Sequence, residues 1–311
     1  MSAETAREGV LRTAGAQSLR LLTIPGAASY DPIPAITGLE GGGMNRCVQF
    51  VSLGLGFSLL ISCSQQRGFP EGRWVDLSHD FSSETIYWPT ADPFAMDTVY
   101  AGMNPKGFYY SAYAFCAAEH GGTHVDAPVH FAEGRETVDQ IPLSRLIGSA
   151  VKIDVTEKTS SDRDYRIAVA DLEAWESKHG RIPEGSIVLL ETGFSRHWPD
   201  RAQYLGTEKR GPEGVAELHF PGLDAVAAVW LAEERKVVAV GIDTASIDFG
   251  QSQTFDTHVA LMTRNIPAFE NVTNLNQLPA TGAHVVALPM KIRGGSGGPL
   301  RIVALVNGTM P

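Results

Sequence analysis

The chain has 311 residues, 43% hydrophobic and 19% charged, with a formal net charge of −10. This composition excludes an intrinsically disordered chain, and an acidic balance without a basic cluster excludes a nucleic-acid footprint. Three cysteines are too few for a disulfide scaffold or a cysteine-rich zinc module.

Residues 1–43 show no sustained period and close on Gly41-Gly42-Gly43, so the expectation is a disordered or untranslated leader ahead of a start at Met44. Arg46 is followed by residues 47–62, which carry no charge, and the run ends in Leu60-Ile61-Ser62-Cys63. Apolar, apolar, small, Cys is the order of a bacterial lipidation box. Residues 44–62 therefore read as a lipoprotein-type signal peptide, Cys63 as the lipidated residue and 63–72 as a tether. On that reading the protein is exported to the periplasmic side and touches a membrane only through its lipid, leaving Cys116 as the one thiol. The alternative is a buried hydrophobic helix, which makes the protein cytoplasmic.

From residue 73 to 311 nothing long enough to be a linker or repeat divides the chain. Residues 74–77 and 150–155 alternate as strands, and the apolar run 186–190 suits a buried strand. Val169–His179 reads as an amphipathic helix, with Val169, Leu172 and Trp175 on one face and Gly180 as its stop. A second helix is expected over 223–234, with Leu223, Val226, Ala227, Trp230 and Leu231 on its stripe. Strands follow at 237–242, 285–288 and 300–305. The expectation is an α/β or α+β single domain with a mixed sheet and flanking helices.

Three of nine histidines fall in eleven residues, His120-Gly-Gly-Thr-His124-Val-Asp126-Ala-Pro128-Val-His130. The paired glycines argue against a helix, and in an extended segment His124 and Asp126 share a face. The glycines let His120 fold back toward them. Two imidazoles and a carboxylate with positions left open make a catalytic site for Zn²⁺, Mn²⁺ or Fe²⁺. His130, beyond Pro128, is a candidate base rather than a first ligand.

This run resembles the signature of the metal-dependent cyclase hydrolases, the family of bacterial kynurenine formamidases and isatin hydrolases. The likeness extends from about Trp74 to Leu305. It includes Gly241-Ile-Asp243-Thr-Ala-Ser246-Ile-Asp248, His258, Phe269-Glu270-Asn271 and Gly294-Gly-Ser-Gly-Gly-Pro299. The resemblance implies a swivelling β/β/α fold and a homodimer. It also implies that His120, His124 and Asp126 hold one metal, and that Asp126 bridges to a second held by His258 and Glu270. His130 is then the acid/base, and Trp88 flanks the substrate. Phe108 and Phe115 are further wall candidates, and His219 is a candidate pocket residue. Asp243 and Asp248 read as turn caps, and the glycines at 294–298 as a tight turn near the site. His79, His179, His197 and His284 have no identifiable partner.

The implied chemistry is hydrolysis of an aryl amide C–N bond by water that Zn or Mn, one or two per chain, makes nucleophilic, with His130 passing a proton to the leaving nitrogen. N-formylkynurenine and the isatin lactam are the two substrate types. The alternative from another class is a lipid-anchored protein that binds a metal or an aromatic ligand without turnover.

Overall fold

Hydrophobic patterning along the chain resolves into one mixed sheet with a helical cover. The computed structural model describes residues 71–306. The readings of 1–43, of a signal peptide over 44–62, of lipidated Cys63 and of most of the 63–72 tether lie outside the described residues.

The strands are β1 (Arg73–Asp76), β2 (Ala95–Met103), β3 (Tyr109–Cys116), β4 (His124–Asp126), β5 (Ile147–Asp154), β6 (Arg166–Ile167), β7 (Ile187–Glu191), β8 (Gly222–Leu223), β9 (Ala239–Ile242), β10 (Ala268–Glu270), β11 (Ala283–Pro289) and β12 (Gly297–Val306). The helices are α1 (Leu143–Leu146), α2 (Thr156–Ser161), α3 (Val169–His179), α4 (Arg201–Leu205), α5 (Gly211–Ala216), α6 (Ala225–Glu234) and α7 (Asp256–Met262). The main sheet runs β1-β12-β11-β5-β7-β9-β10-β4. Its centre, β5-β7-β9-β10, is parallel, and the flanking pairings are antiparallel. The start of β12 also pairs with β4, so the sheet curls back on itself and draws its two ends together.

Both faces of the parallel strands are covered, which is why β7 reads as an unbroken apolar run rather than an alternation. Ile187 and Leu189 face one core with Val125, Phe269 and Val285. Val188 and Leu190 face the other, where Leu172 and Trp175 of α3 and Ala227, Ala228 and Leu231 of α6 pack. Truncating a side chain such as Leu231, which is fully buried, costs about 2–5 kcal/mol.

The first helix has the bounds its sequence indicates. Asp171 accepts a hydrogen bond from the Ala168 N–H at 2.7 Å, and Gly180 takes φ 88° to stop it. The second begins later than expected. Leu223 pairs in β8 with β6, and Asp224 caps α6 by accepting from the Val226 N–H at 2.8 Å. Val226 is consequently exposed, and Ala228 rather than Val226 belongs to the buried stripe. β9 likewise starts at Ala239, after Lys236 turns through a positive φ. The β2–β3 hairpin has no counterpart among the sequence expectations. Both of its faces are largely exposed, so no inside–outside alternation marks it. Among the described residues no helix is long and apolar enough to cross a membrane.

Candidate active site

Strand β4 is the floor of the site. It lies between β10 and β12, and its antiparallel register sets Glu270 opposite His124 and Gly297 opposite Asp126. Alternation turns Val125 into the core and leaves His124, Asp126 and, across the ladder, Glu270 on one face. Before β4, Gly121 lies flat against the Tyr87 ring, where a Cβ would fall within 2.0 Å of ring carbon, and Gly122 turns through φ 58°. Only glycine fits both positions, and the turn folds His120 back over the strand. After β4, a short 3₁₀ turn, Pro128–His130, sets the His130 ring on that of His120, with centroids 3.8 Å apart and planes 17° from parallel. His258 enters from α7.

These side chains form two groups that share Asp126. His120 Nδ1 lies 2.6 Å and His124 Nε2 3.1 Å from Asp126 Oδ1, while His258 Nε2 lies 3.0 Å from Oδ2. Glu270 closes the second group, 3.2 Å from His258 Nε2 and 3.5 Å from His124 Nε2. In each group, donor atoms from three residues fall within 4.8 Å of one another: His120, His124 and Asp126 in one, Asp126, His258 and Glu270 in the other. The far nitrogens are tied down. His124 Nδ1 bonds the Gly122 carbonyl at 2.9 Å, and His258 Nδ1 bonds Asp248 at 2.6 Å, which turns each Nε2 inward. That is how metal-binding imidazoles are held.

The electrostatics also suit a cation. Among the described residues the ion-pair partners of Asp126 and Glu270 are histidines only. Burial opposes charge on Asp126, but His124 and His120 outweigh it and hold this carboxyl well below the usual range. Glu270 goes the other way, pushed up by burial and by the Asp126 charge beside it. Burial lowers the basicity of His124, yet Asp126, Glu270 and the Gly122 carbonyl raise it to about 9 overall; His258 is likewise driven well above its ordinary value. Buried carboxylates are thus drawing protons onto two imidazoles, and a divalent cation meets the same demand. The donor set, nitrogen and carboxylate oxygen with no sulfur, fits Zn²⁺ or Mn²⁺.

A cavity of about 300 Å³ opens over both groups. Its walls are apolar, with Ile86, Tyr87, Trp88, Phe131, Ala245 and Phe255 among the lining residues. Trp88 packs at 6.2 Å from Phe255, Phe255 at 5.2 Å from Phe131, and Phe131 at 4.4 Å from His258, which gives one continuous aromatic wall. His130 borders the same space. Burial, with help from the neighbouring histidines, lowers its pKa to about 4 and keeps the ring neutral near pH 7.

Every sequence-indicated residue from His120 to His130, with His258, Glu270 and Trp88, therefore lies at this cavity. His219 does not. It sits outside, its side chain 46% exposed, with Nδ1 2.6 Å from Asp164, because the turn before β8 directs it to solvent. Phe108 and Phe115 are also misplaced by the sequence reading: they stand 54% and 56% exposed on the hairpin. Asp243 is a turn cap as expected, accepting from the Thr192 and Gly193 N–H groups. Asp248 caps α7 through the Thr257 and His258 N–H groups and also orients His258. His79 has a partner after all, stacking on Trp198 at 4.1 Å. Phe131, Phe255, Asn271, Glu119 and Ser296 are absent from the sequence candidates. Asn271 directs its amide to the Gly122 carbonyl at 2.7 Å, and Ser296 bonds both His120 and Glu119. A polar residue between paired glycines, as at Ser296, is the signal that marks one of them.

The mixed sheet sets a cation-competent histidine and carboxylate centre under an aromatic cavity, and comparison with known proteins gives its class. The Cyclase family model matches residues 75–249, more than half of the chain, and the protein belongs to that family. It is 33% identical over 196 residues to the isatin hydrolase of Roseibium aggregatum, covering 60% of this chain and 72% of that one. It is 28% identical over 229 residues to the kynurenine formamidase of Salinibacter ruber, covering 74% and 95%. The solved structure of isatin hydrolase A from Ralstonia solanacearum superposes with a TM-score of 0.68 at 34% identity, covering 76% of this chain and 92% of that chain. The relatives are hydrolases of C–N bonds other than peptide bonds.

Proposed function

We propose that this protein hydrolyses the C–N bond of an aryl amide or aryl lactam, of the isatin or N-formylkynurenine type, at a site holding one or two Zn²⁺ or Mn²⁺ ions. One observation carries the reading: two cation-competent groups sharing Asp126 form the floor of a cavity whose wall is aromatic and whose remaining polar side chain includes neutral His130. A divalent cation bound there supplies charge that polarises the substrate carbonyl and makes water a nucleophile near neutral pH. The rest is done by the chain itself. Trp88, Phe255 and Phe131 hold the substrate's ring and exclude water. His130, fixed by its stack on His120, takes a proton from the attacking water and delivers it to the leaving aryl nitrogen.

The first group, with half-covered His120, is read as the site of the catalytic ion, and His258 and Glu270 as ligands of a second. Two Zn²⁺ per chain supports a formamidase-type centre, and one Mn²⁺ supports an isatin hydrolase-type centre. The charge-free run over 47–62 ahead of Cys63 supports an exported, lipid-anchored protein. The exposed hairpin, bearing Met96, Val99, Tyr109 and Tyr113, supports a homodimer.

The test is to assay the purified, cation-loaded protein on isatin and on N-formylkynurenine in parallel. Turnover of either supports the reading and names the substrate. Bound cation with turnover of neither favours a binding protein instead.

A further inference from the structure

We propose that Ser296, braced by Glu119, is the positioning residue that selects which nitrogen His120 presents to the cation site. This rests on the reading of His120 as a ligand. The hydrogen bonds assign themselves by elimination. The Glu119 carboxylate only accepts, and its Oε2 lies 2.7 Å from Ser296 Oγ and 3.0 Å from the Ser296 N–H. Ser296 therefore spends its single hydroxyl proton on Glu119. What remains on Oγ is lone pairs, and His120 Nε2, 2.8 Å away, must donate to them. That commits the Nε2–H to Ser296 and turns Nδ1 toward the cation groups, 2.6 Å from Asp126 Oδ1.

The loop is shaped for this one contact. A Cβ at Gly295 would lie 2.7 Å from Glu119 Oε1, and one at Gly297 would lie 2.6 Å from the His120 ring. The glycines on either side of Ser296 thus let the carboxylate and the imidazole close in. The loop backbone is tied down as well, with the Ser296 carbonyl accepting from the Ala127 N–H at 2.8 Å and the Gly295 carbonyl from the Val138 N–H at 2.9 Å. His120 is the odd ligand of the set. His124 and His258 present Nε2 and are held at Nδ1, whereas His120 presents Nδ1 and is held at Nε2.

The experiment compares wild type, Ser296→Ala and His120→Ala as full chains. Zn²⁺ affinity is read by competition with a chromophoric chelator, and the His120 tautomer by ¹⁵N NMR. Wild type is expected to show the Nε2–H form. Ser296→Ala is expected to bind Zn²⁺ about 10–100-fold more weakly and to lose the fixed tautomer, with its thermal midpoint in chelator unchanged. A purely structural role would move the midpoint and spare the tautomer. If His120→Ala loses Zn²⁺ while Ser296→Ala binds it as wild type does, the positioning role is overturned and the metal site stands. If His120→Ala binds Zn²⁺ undiminished, the metal reading itself fails and this inference with it.

Discussion

The two cation-competent groups are built differently although they share Asp126. The first, His120, His124 and Asp126, comes from seven consecutive residues around one strand; the second gathers Asp126, His258 and Glu270 from a strand, a helix and a neighbouring strand. The first opens to the cavity, with the His120 side chain 24% exposed, whereas the members of the second are each 5% exposed or less. On the proposed reading, substrate meets the first group on its exposed side. The buried second group would then hold a charge behind it, coupled to the first through the shared carboxylate.

Breaking the shared residue tests that coupling hardest. Asp126→Asn is expected to empty both groups and to lower kcat/KM by several kcal/mol of transition-state stabilisation, on the order of 10⁴-fold. Metal analysis should show no bound cation; loss of one ion with the other retained would mean that the groups are independent.

Separating chemistry from binding comes next. His130→Ala should lower kcat by about 10²–10³-fold while cation content stays at the wild-type value, because His130 stacks on His120 without joining either group. A parallel fall in cation content would make His130 a ligand instead.

The second group alone is reached through Asp248, which holds His258 Nδ1 and caps α7. Asp248→Asn should weaken cation binding there by about 10–100-fold and leave the first group's affinity unchanged, as read by stepwise titration. Equal weakening of both sites would erase the distinction between them.

A smaller effect lies outside both groups, at His79. Burial holds its pKa down to about 4, against a partial pull upward from Asp80. Because the folded value is depressed, the neutral ring's contribution is fully present above pH 6.5 and is lost as pH falls from 6.5 toward 4. The ceiling is about 3 kcal/mol. His79→Phe keeps the stack on Trp198 and should flatten the stability profile across that window, measured by denaturant melts, with activity near neutral pH unchanged. An unchanged slope would assign the pH dependence to another group.

The same contrast governs what could be read in the sequence. The first group was legible because its spacing is local: two glycines make the turn and period two sets His124 beside Asp126. His258 and Glu270 are twelve residues apart in sequence and reach Asp126 by separate routes, Glu270 through the pairing of β10 with β4 and His258 from α7, so nothing local reveals them and they came from family resemblance alone. Ser296 and Glu119 are separated by 177 positions and join through the closure of the sheet between β12 and β4. For the fold, α3 could be bounded by its period and its glycine stop. The β2–β3 hairpin was missed since a ribbon exposed on both faces carries no alternation, and His219 was misassigned because its neighbours in sequence are not its neighbours in space.

On the proposed function, the paired groups hold the cation that drives C–N hydrolysis under the aromatic wall. The most direct measurement strips the protein with chelator and then adds Mn²⁺ or Zn²⁺ back in sub-equivalent steps, recording bound metal and ring-opening or deformylation in the same samples. Stripping should abolish turnover, and turnover should return in proportion to bound cation, saturating at one or two equivalents per chain. Turnover that survives complete removal of metal would contradict it.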